Sequence, residues 1–163
     1  MRLMMWTGLV VLLIDQASKV LVVHLLDLRT IGTMQVFPPY LNFHMAWNRG
    51  VNFGLFSNDA AVMKWVLIAL AVVIAAWVTI WVYRERAGRW GMMSAGLLVG
   101  GAAGNVLDRL LYGAVADFLN MSCCGIDNPF AFNIADIAIF AGALGLILFT
   151  GQKRPRDDGD LIG

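Results

Sequence analysis

Residues 100–119 read GGAAGNVLDRLLYGAVADFL. The segment is apolar enough for a bilayer, yet within about three helical turns it carries Asn105, Asp108, Arg109 and Asp117. An ionisable side chain at the centre of a spanning helix costs about 2.5–3.5 kcal/mol on insertion scales, so each one needs a partner or a task. Asn105, Asp108 and Arg109, three and four residues apart, share one side of a helix. Gly96, Gly100 and Gly104 recur every four residues, a spacing that lets two membrane helices approach closely. The stretch therefore predicts a tightly packed membrane helix with a polar cluster towards one end.

The rest of the chain agrees. Its 163 residues are 60% hydrophobic and 14% charged, against about 25% charged in soluble domains, and its mean hydropathy is +0.72. Apolar runs predict an all-α membrane protein, a bundle of four transmembrane helices over residues 3–26, 60–83, 92–112 and 130–150, in one domain spanning 1–163. Pro38, Pro39, Pro129 and Pro155 all fall outside these runs, as helix interiors require. The first run is long, contains Asp15 and Lys19 and lacks a small-residue cleavage site, so it reads as a retained span. Arg2, the Arg84–Arg89 cluster and the Lys153–Arg156 cluster share one side, which puts both termini in the cytoplasm. Outer loops are then expected at about 27–59 and 113–129.

A net charge of +1 offers no basic field for nucleic acid. Cys123 and Cys124 are adjacent, as a vicinal disulfide or two incidental thiols, and have no metal-ligand spacing. His24 and His44 lie in different segments, so no metal site is expected. In the first outer loop, TMQVF and YLNFHMAW read as short strands separated by Pro38 and Pro39, followed by a Gly- and Asn-rich turn. A small sheet on the outer membrane surface results, with Tyr40 and Trp47 suited to the interfacial level.

Asp15 and Lys19 are one helical turn apart and can pair, either to support packing or to take part in chemistry. The third span runs outward and the fourth inward, so Asp117 and Asp136 reach a similar depth near the outer face. Two carboxylates brought together share a proton near neutral pH. That equipment serves an aspartic protease, where one acid activates water and the other polarises the carbonyl. It also serves a small proton-coupled transporter, and both readings stand on these residues alone.

Four segments, DQASK (15–19), NRGVNFGLF (48–56), GGAAGNVLDRLLYGAVADF (100–118) and FNIADI (132–137), occur in order along nearly the whole chain. Together they resemble the bacterial lipoprotein signal peptidases, the type II signal peptidases. The resemblance implies an inner-membrane aspartic endopeptidase that cleaves diacylglyceryl-modified prolipoproteins just before the lipidated cysteine, near the periplasmic face, without metal or cofactor. It implies Asp117 and Asp136 as catalytic residues. Asp15, Lys19, Asn48, Asn105, Arg109 and Asn133 would support the site or bind substrate, with Gly50 and Gly54 in a loop close to it, while Asp108 is assigned to the scaffold. Expected partners are the prolipoprotein and membrane lipids, and the chain is expected to act as a monomer. It departs from the usual motif at Val51, Asn52 and Ala116, which leaves both aspartates untouched.

Overall fold

A computed structural model describes residues 1–50, 60–122 and 128–150. Helix α1 (Arg2–Lys19) continues into a π-helical turn, Val20–Leu25, and a short helix α2 (Leu28–Ile31) follows. Strands β1 (Thr33–Phe37) and β2 (Leu41–Asn48) come next, then α3 (Ala60–Arg84), α4 (Arg89–Tyr112), strand β3 (Val115–Met121) and α5 (Ile134–Thr150). Among the described residues three helices, Arg2–Leu25, Ala61–Arg84 and Arg89–Tyr112, are long and apolar enough to cross a membrane; α5 is a shorter apolar helix.

α4 is the central helix, packed against α1, α3 and α5. Its sequence explains why. Its most apolar window has a mean hydropathy of only 1.2, against 2.5 for α3, because small residues replace bulky ones along two faces. One face meets α1, where a Cβ on Gly96 would fall 2.6 Å from the Met4 carbonyl oxygen and one on Gly100 would collide with the Gly8 backbone. The other meets α5 at Gly101, and Gly142 of α5 returns the contact, its added Cβ falling 2.6 Å from the Ser94 carbonyl oxygen. Close backbone approach compensates for the missing hydrophobic drive between helices in lipid. α3 is richer in large apolar side chains, and Trp65, Val73, Trp77 and Ile80 on it are exposed to the surroundings of the protein.

The sheet is antiparallel, in the order β1-β2-β3. β1 coincides with the TMQVF segment read from sequence, and β2 lies one residue beyond YLNFHMAW. The third strand is a correction to the expected loop at 113–129. β3 carries the run VADFLNM, buried on both faces for most of its length, so it lacks the polar–apolar alternation that marks a half-exposed strand. Ala116 and Phe118 pack with Val22, Val23 and Leu28 to form a second core beneath the sheet. Phe43 of β2 meets Phe118 edge to face, ring centroids 5.7 Å apart. That core joins the sheet to the end of α1, which fixes β3 against the helices.

α5 begins at Ile134, four residues later than the apolar run predicts. Phe132 instead pairs with Leu119, accepting from the Phe118 and Leu119 N–H groups (3.0 and 2.8 Å) and donating to the Leu119 carbonyl (3.0 Å). The chain thus enters α5 alongside β3.

Candidate active site

The end of α1, the end of α4, the start of β3 and the start of α5 meet in one polar layer. α4 stops at Gly113, whose φ of 77° is the left-handed conformation that favours glycine, and its N–H donates to the Arg109 carbonyl (3.1 Å). Two residues later β3 starts, with Ala46 opposite Asp117 and Asn48 opposite Val115 in its pairing with β2. Side chains alternate along a strand. With Ala116 and Phe118 committed to the apolar layer, Asp117 points to the other face, and it is 2% exposed.

Asn133 caps α5. Its Oδ1 accepts from the Asp136 N–H (2.9 Å), and the Asp136 carboxylate accepts in return from the Asn133 N–H (3.2 Å). This reciprocal arrangement is a capping box, with Asp136 three residues into the helix. The Asn133 side chain also donates to Asp117 Oδ1 (2.6 Å) and lies 3.3 Å from Asn105 Oδ1. Asn105 donates to Asp136 Oδ1 (2.9 Å). Two asparagines therefore link the two aspartates, Asp117 to Asn133 to Asn105 to Asp136.

Burial pushes the Asp117 carboxyl up to about 6, and the neighbouring Asp136 charge adds to the rise. Hydrogen bonds from Asn48 and Asn133 and the Lys19 charge oppose it. Asp117 is thus set to exchange a proton near neutral pH.

A second acidic cluster adjoins the first. Asp15 and Asp108 are both fully buried, and Lys19 bridges them at 2.7 and 2.8 Å. The pairing within DQASK was legible from the spacing. The partnership with Asp108 was not, because it joins residues from different helices. Gln16 was missed altogether; its amide donates to both carboxylates (3.0 Å each). Its place beside Asp15, in an otherwise apolar run, was the available signal.

Arg109 is half-buried and donates to the Asn105 carbonyl (3.2 Å). With Asn105 it lines a cavity of about 220 Å³ whose remaining walls, including Leu67, Ile74, Leu98 and Ile139, come from α3, α4 and α5. Asn48 ends β2, and its side chain also accepts from the Gly50 N–H (3.0 Å). Gly50 has a φ of 92°, and a Cβ there would fall 2.6 Å from Leu67 Cδ1. Gly54, Cys123 and Cys124 lie outside the described residues. Of the residues singled out from sequence, Asn105, Asp117, Asn133 and Asp136 form the linked centre, with Arg109 and Asn48 bordering it and Asp15 and Lys19 in the adjoining cluster.

A membrane-type helical fold with a linked pair of acids is the arrangement that the structure shows, and comparison with known proteins is specific. The family model described as Signal peptidase (SPase) II matches residues 7–151. The chain belongs to that family. It is 38% identical over 154 residues to the lipoprotein signal peptidase of Methylorubrum extorquens, covering 92% of this chain and 88% of that one. It is 33% identical over 157 residues to the lipoprotein signal peptidase of Pseudomonas putida, covering 94% and 90%. The fold is similar to a bacterial membrane enzyme solved by the in meso method at 1.9 Å resolution, with a TM-score of 0.73, 26% identity, and coverage of 89% of this chain and 90% of that one. A peptide-hydrolase family in a membrane-type fold leaves the transporter alternative without support.

Proposed function

We propose that the protein is an aspartic endopeptidase of the bacterial inner membrane that removes signal peptides from diacylglyceryl-modified prolipoproteins, cutting before the lipidated cysteine. The observation that carries this reading is the hydrogen-bonded path from Asp117 through Asn133 and Asn105 to Asp136 in a member of the signal peptidase II family.

Asp117 and Asp136 are the catalytic residues. One carboxylate removes a proton from water as the oxygen attacks the scissile carbonyl. The other, protonated, donates a hydrogen bond to that carbonyl and later returns a proton to the leaving nitrogen. The asparagines orient the acids: Asp117 accepts the Asn133 side-chain amide and Asp136 the Asn105 side-chain amide, each at Oδ1, and the Asn133 N–H holds Asp136 a second time at Oδ2. Arg109 hydrogen-bonds a substrate carbonyl in the cavity between α3, α4 and α5, whose apolar walls accept the signal segment.

In this reading α1, α3, α4 and α5 all span the bilayer with both termini cytoplasmic. α5, at 1.5 Å per residue, is about 26 Å long, close to the roughly 30 Å hydrocarbon thickness. The sheet then lies on the periplasmic surface, where exposed Phe37, Tyr40 and Trp47 meet the interface and where water reaches the dyad. The lipid anchor of the substrate supplies binding and depth together, and a single copy of the chain contains every residue named.

The deciding experiment incubates purified protein, in detergent or liposomes, with one precursor in diacylglyceryl-modified and unmodified forms, beside Asp117→Asn and Asp136→Asn. Cleavage of the modified form alone, lost in either variant with the fold retained, is the expected result. Undiminished cleavage by both variants would sink the dyad.

A further inference from the structure

The cluster of Asp15, Lys19 and Asp108 does more than offset its own burial. The Ala116 N–H, on the residue before Asp117, donates to Asp108 Oδ2 (3.0 Å). The Ala135 N–H, on the residue before Asp136, donates to Asp15 Oδ1 (3.0 Å). Lys19 Nζ sits between the two carboxylates, 2.7 Å from Asp15 Oδ2 and 2.8 Å from Asp108 Oδ2. One continuous path therefore runs from the backbone before one aspartate to the backbone before the other, with no contact longer than 3.0 Å. All three side chains are at most 4% exposed.

We infer that Asp108, Lys19 and Asp15 form a spacer that sets the separation of Asp117 and Asp136 by gripping the backbone amide that precedes each; this rests on the dyad reading above. The three are positioning residues, since they act on the backbone of the acids and not on substrate.

The chemistry of the grip is sound at each end. The first amides of a helix have no partner within it, and Asp15 satisfies one of those of α5 while placing negative charge at its positive end. Asp108 holds β3 where it leaves the Gly113 turn. Gln16 donates to both acids and ties them a second time. Space for the arrangement is built into α4: a Cβ on Gly104 would fall 2.7 Å from Asp15 Oδ2. Hydrolysis requires water and a carbonyl to fit between the acids at one separation, and a misplacement of about 1 Å is enough to cost roughly 100-fold in rate.

The test measures kcat and KM on a lipidated precursor peptide, and the affinity for a peptide analogue carrying a tetrahedral hydroxyl in place of the scissile carbonyl. Asp15→Ala and Asp108→Ala are expected to lose about 100-fold in kcat and in analogue affinity with KM unchanged, because the spacer matters only in the transition state. Asp108→Asn keeps one oxygen that accepts from both the Ala116 N–H and Lys19 and is expected to recover activity to within about 10-fold of the wild type. Gly104→Ala, which displaces the Asp15 carboxylate without removing it, gives the same kcat signature and carries the test if an alanine variant does not fold. Activity that only tracks the folded fraction in thermal unfolding, or Asp108→Asn no better than Asp108→Ala, overturns the spacer. Retained cleavage in Asp117→Asn and Asp136→Asn overturns the dyad itself. Dead dyad variants beside fully active Asp15→Ala, Asp108→Ala and Gly104→Ala overturn the spacer alone.

Discussion

Two pairs of carboxylates share one polar layer and are held in opposite ways. Asp15 and Asp108 are clamped by the Lys19 ammonium, by Gln16 and by two backbone amides. Asp117 and Asp136 are joined by two neutral asparagine amides. The difference is one of charge. An ammonium in direct contact holds two carboxylates by charge, whereas a neutral amide orients a carboxylate through a hydrogen bond alone. The first environment fixes a pair in place, and the second aligns a pair that, in the proposed mechanism, acts on water and substrate.

The contrast breaks most completely at the second pair. Asp117→Asn or Asp136→Asn should each reduce cleavage by about 100- to 10,000-fold, the range expected when a general acid or base is lost. The double variant should lose little more, because the two act as one unit. Rates on a lipidated precursor measure both.

Removing the clamp has its largest effect on stability. Lys19→Met leaves two buried carboxylates without their cation, and breaking such a pair costs about 3–5 kcal/mol. Chemical or thermal unfolding in detergent should show that loss. Asp117→Asn has the opposite sign. The folded Asp117 carboxyl titrates near 6, above its ordinary 3.8. Its proton-linked contribution to stability is therefore fully present below about 3.8 and is lost as pH rises through about 6. Asparagine does not ionise, so the variant should unfold at a higher temperature than the wild type at pH 8, with the difference shrinking towards pH 4. Equal Tm differences at both pH values would remove the distinction between the pairs.

The sequence was most legible where one element determines the outcome. Expected spans at 3–26, 60–83 and 92–112 correspond to helices at Arg2–Leu25, Ala60–Arg84 and Arg89–Tyr112, because continuous apolar runs depend on little but the solvent around them. Asp15 and Lys19 could be paired from their spacing alone. The expected opposite run of the third and fourth apolar segments brought Asp117 and Asp136 towards each other, although Asp117 lies on β3 and not on a helix. What depends on several elements at once stayed hidden. β3 is covered on both faces and shows no alternation, so its residues resemble a loop or a helix end as much as a strand. The start of α5 is set by Phe132 pairing with Leu119 of β3, a partner from another element, and by the Asn133 cap on Asp136, which lies inside the apolar run that reads as one helix. Asp108 was assigned to the scaffold, and its partners, Lys19 and Gln16 of α1 and the Ala116 N–H of β3, all come from other elements.

Asn133 allows the smallest and sharpest cut, since its side chain serves both stability and the acids. As a cap it accepts from the Asp136 N–H, and as a bridge it donates to Asp117. Asn133→Ala loses both functions and should cost about 1 kcal/mol from the cap together with a drop in kcat. Asn133→Ser keeps a cap of similar quality, but its hydroxyl is too short to span the distance that the asparagine amide covers. Its stability should stay within about 0.5 kcal/mol of the wild type, while kcat falls as far as in the alanine variant. The same substitution removes a hydrogen bond that lowers the Asp117 pKa, so the limb of the pH–rate profile governed by Asp117 should move to higher pH. If Asn133→Ser instead matches wild-type kcat and pH profile, the amide is only a cap, and the two asparagines do not organise the acids they join.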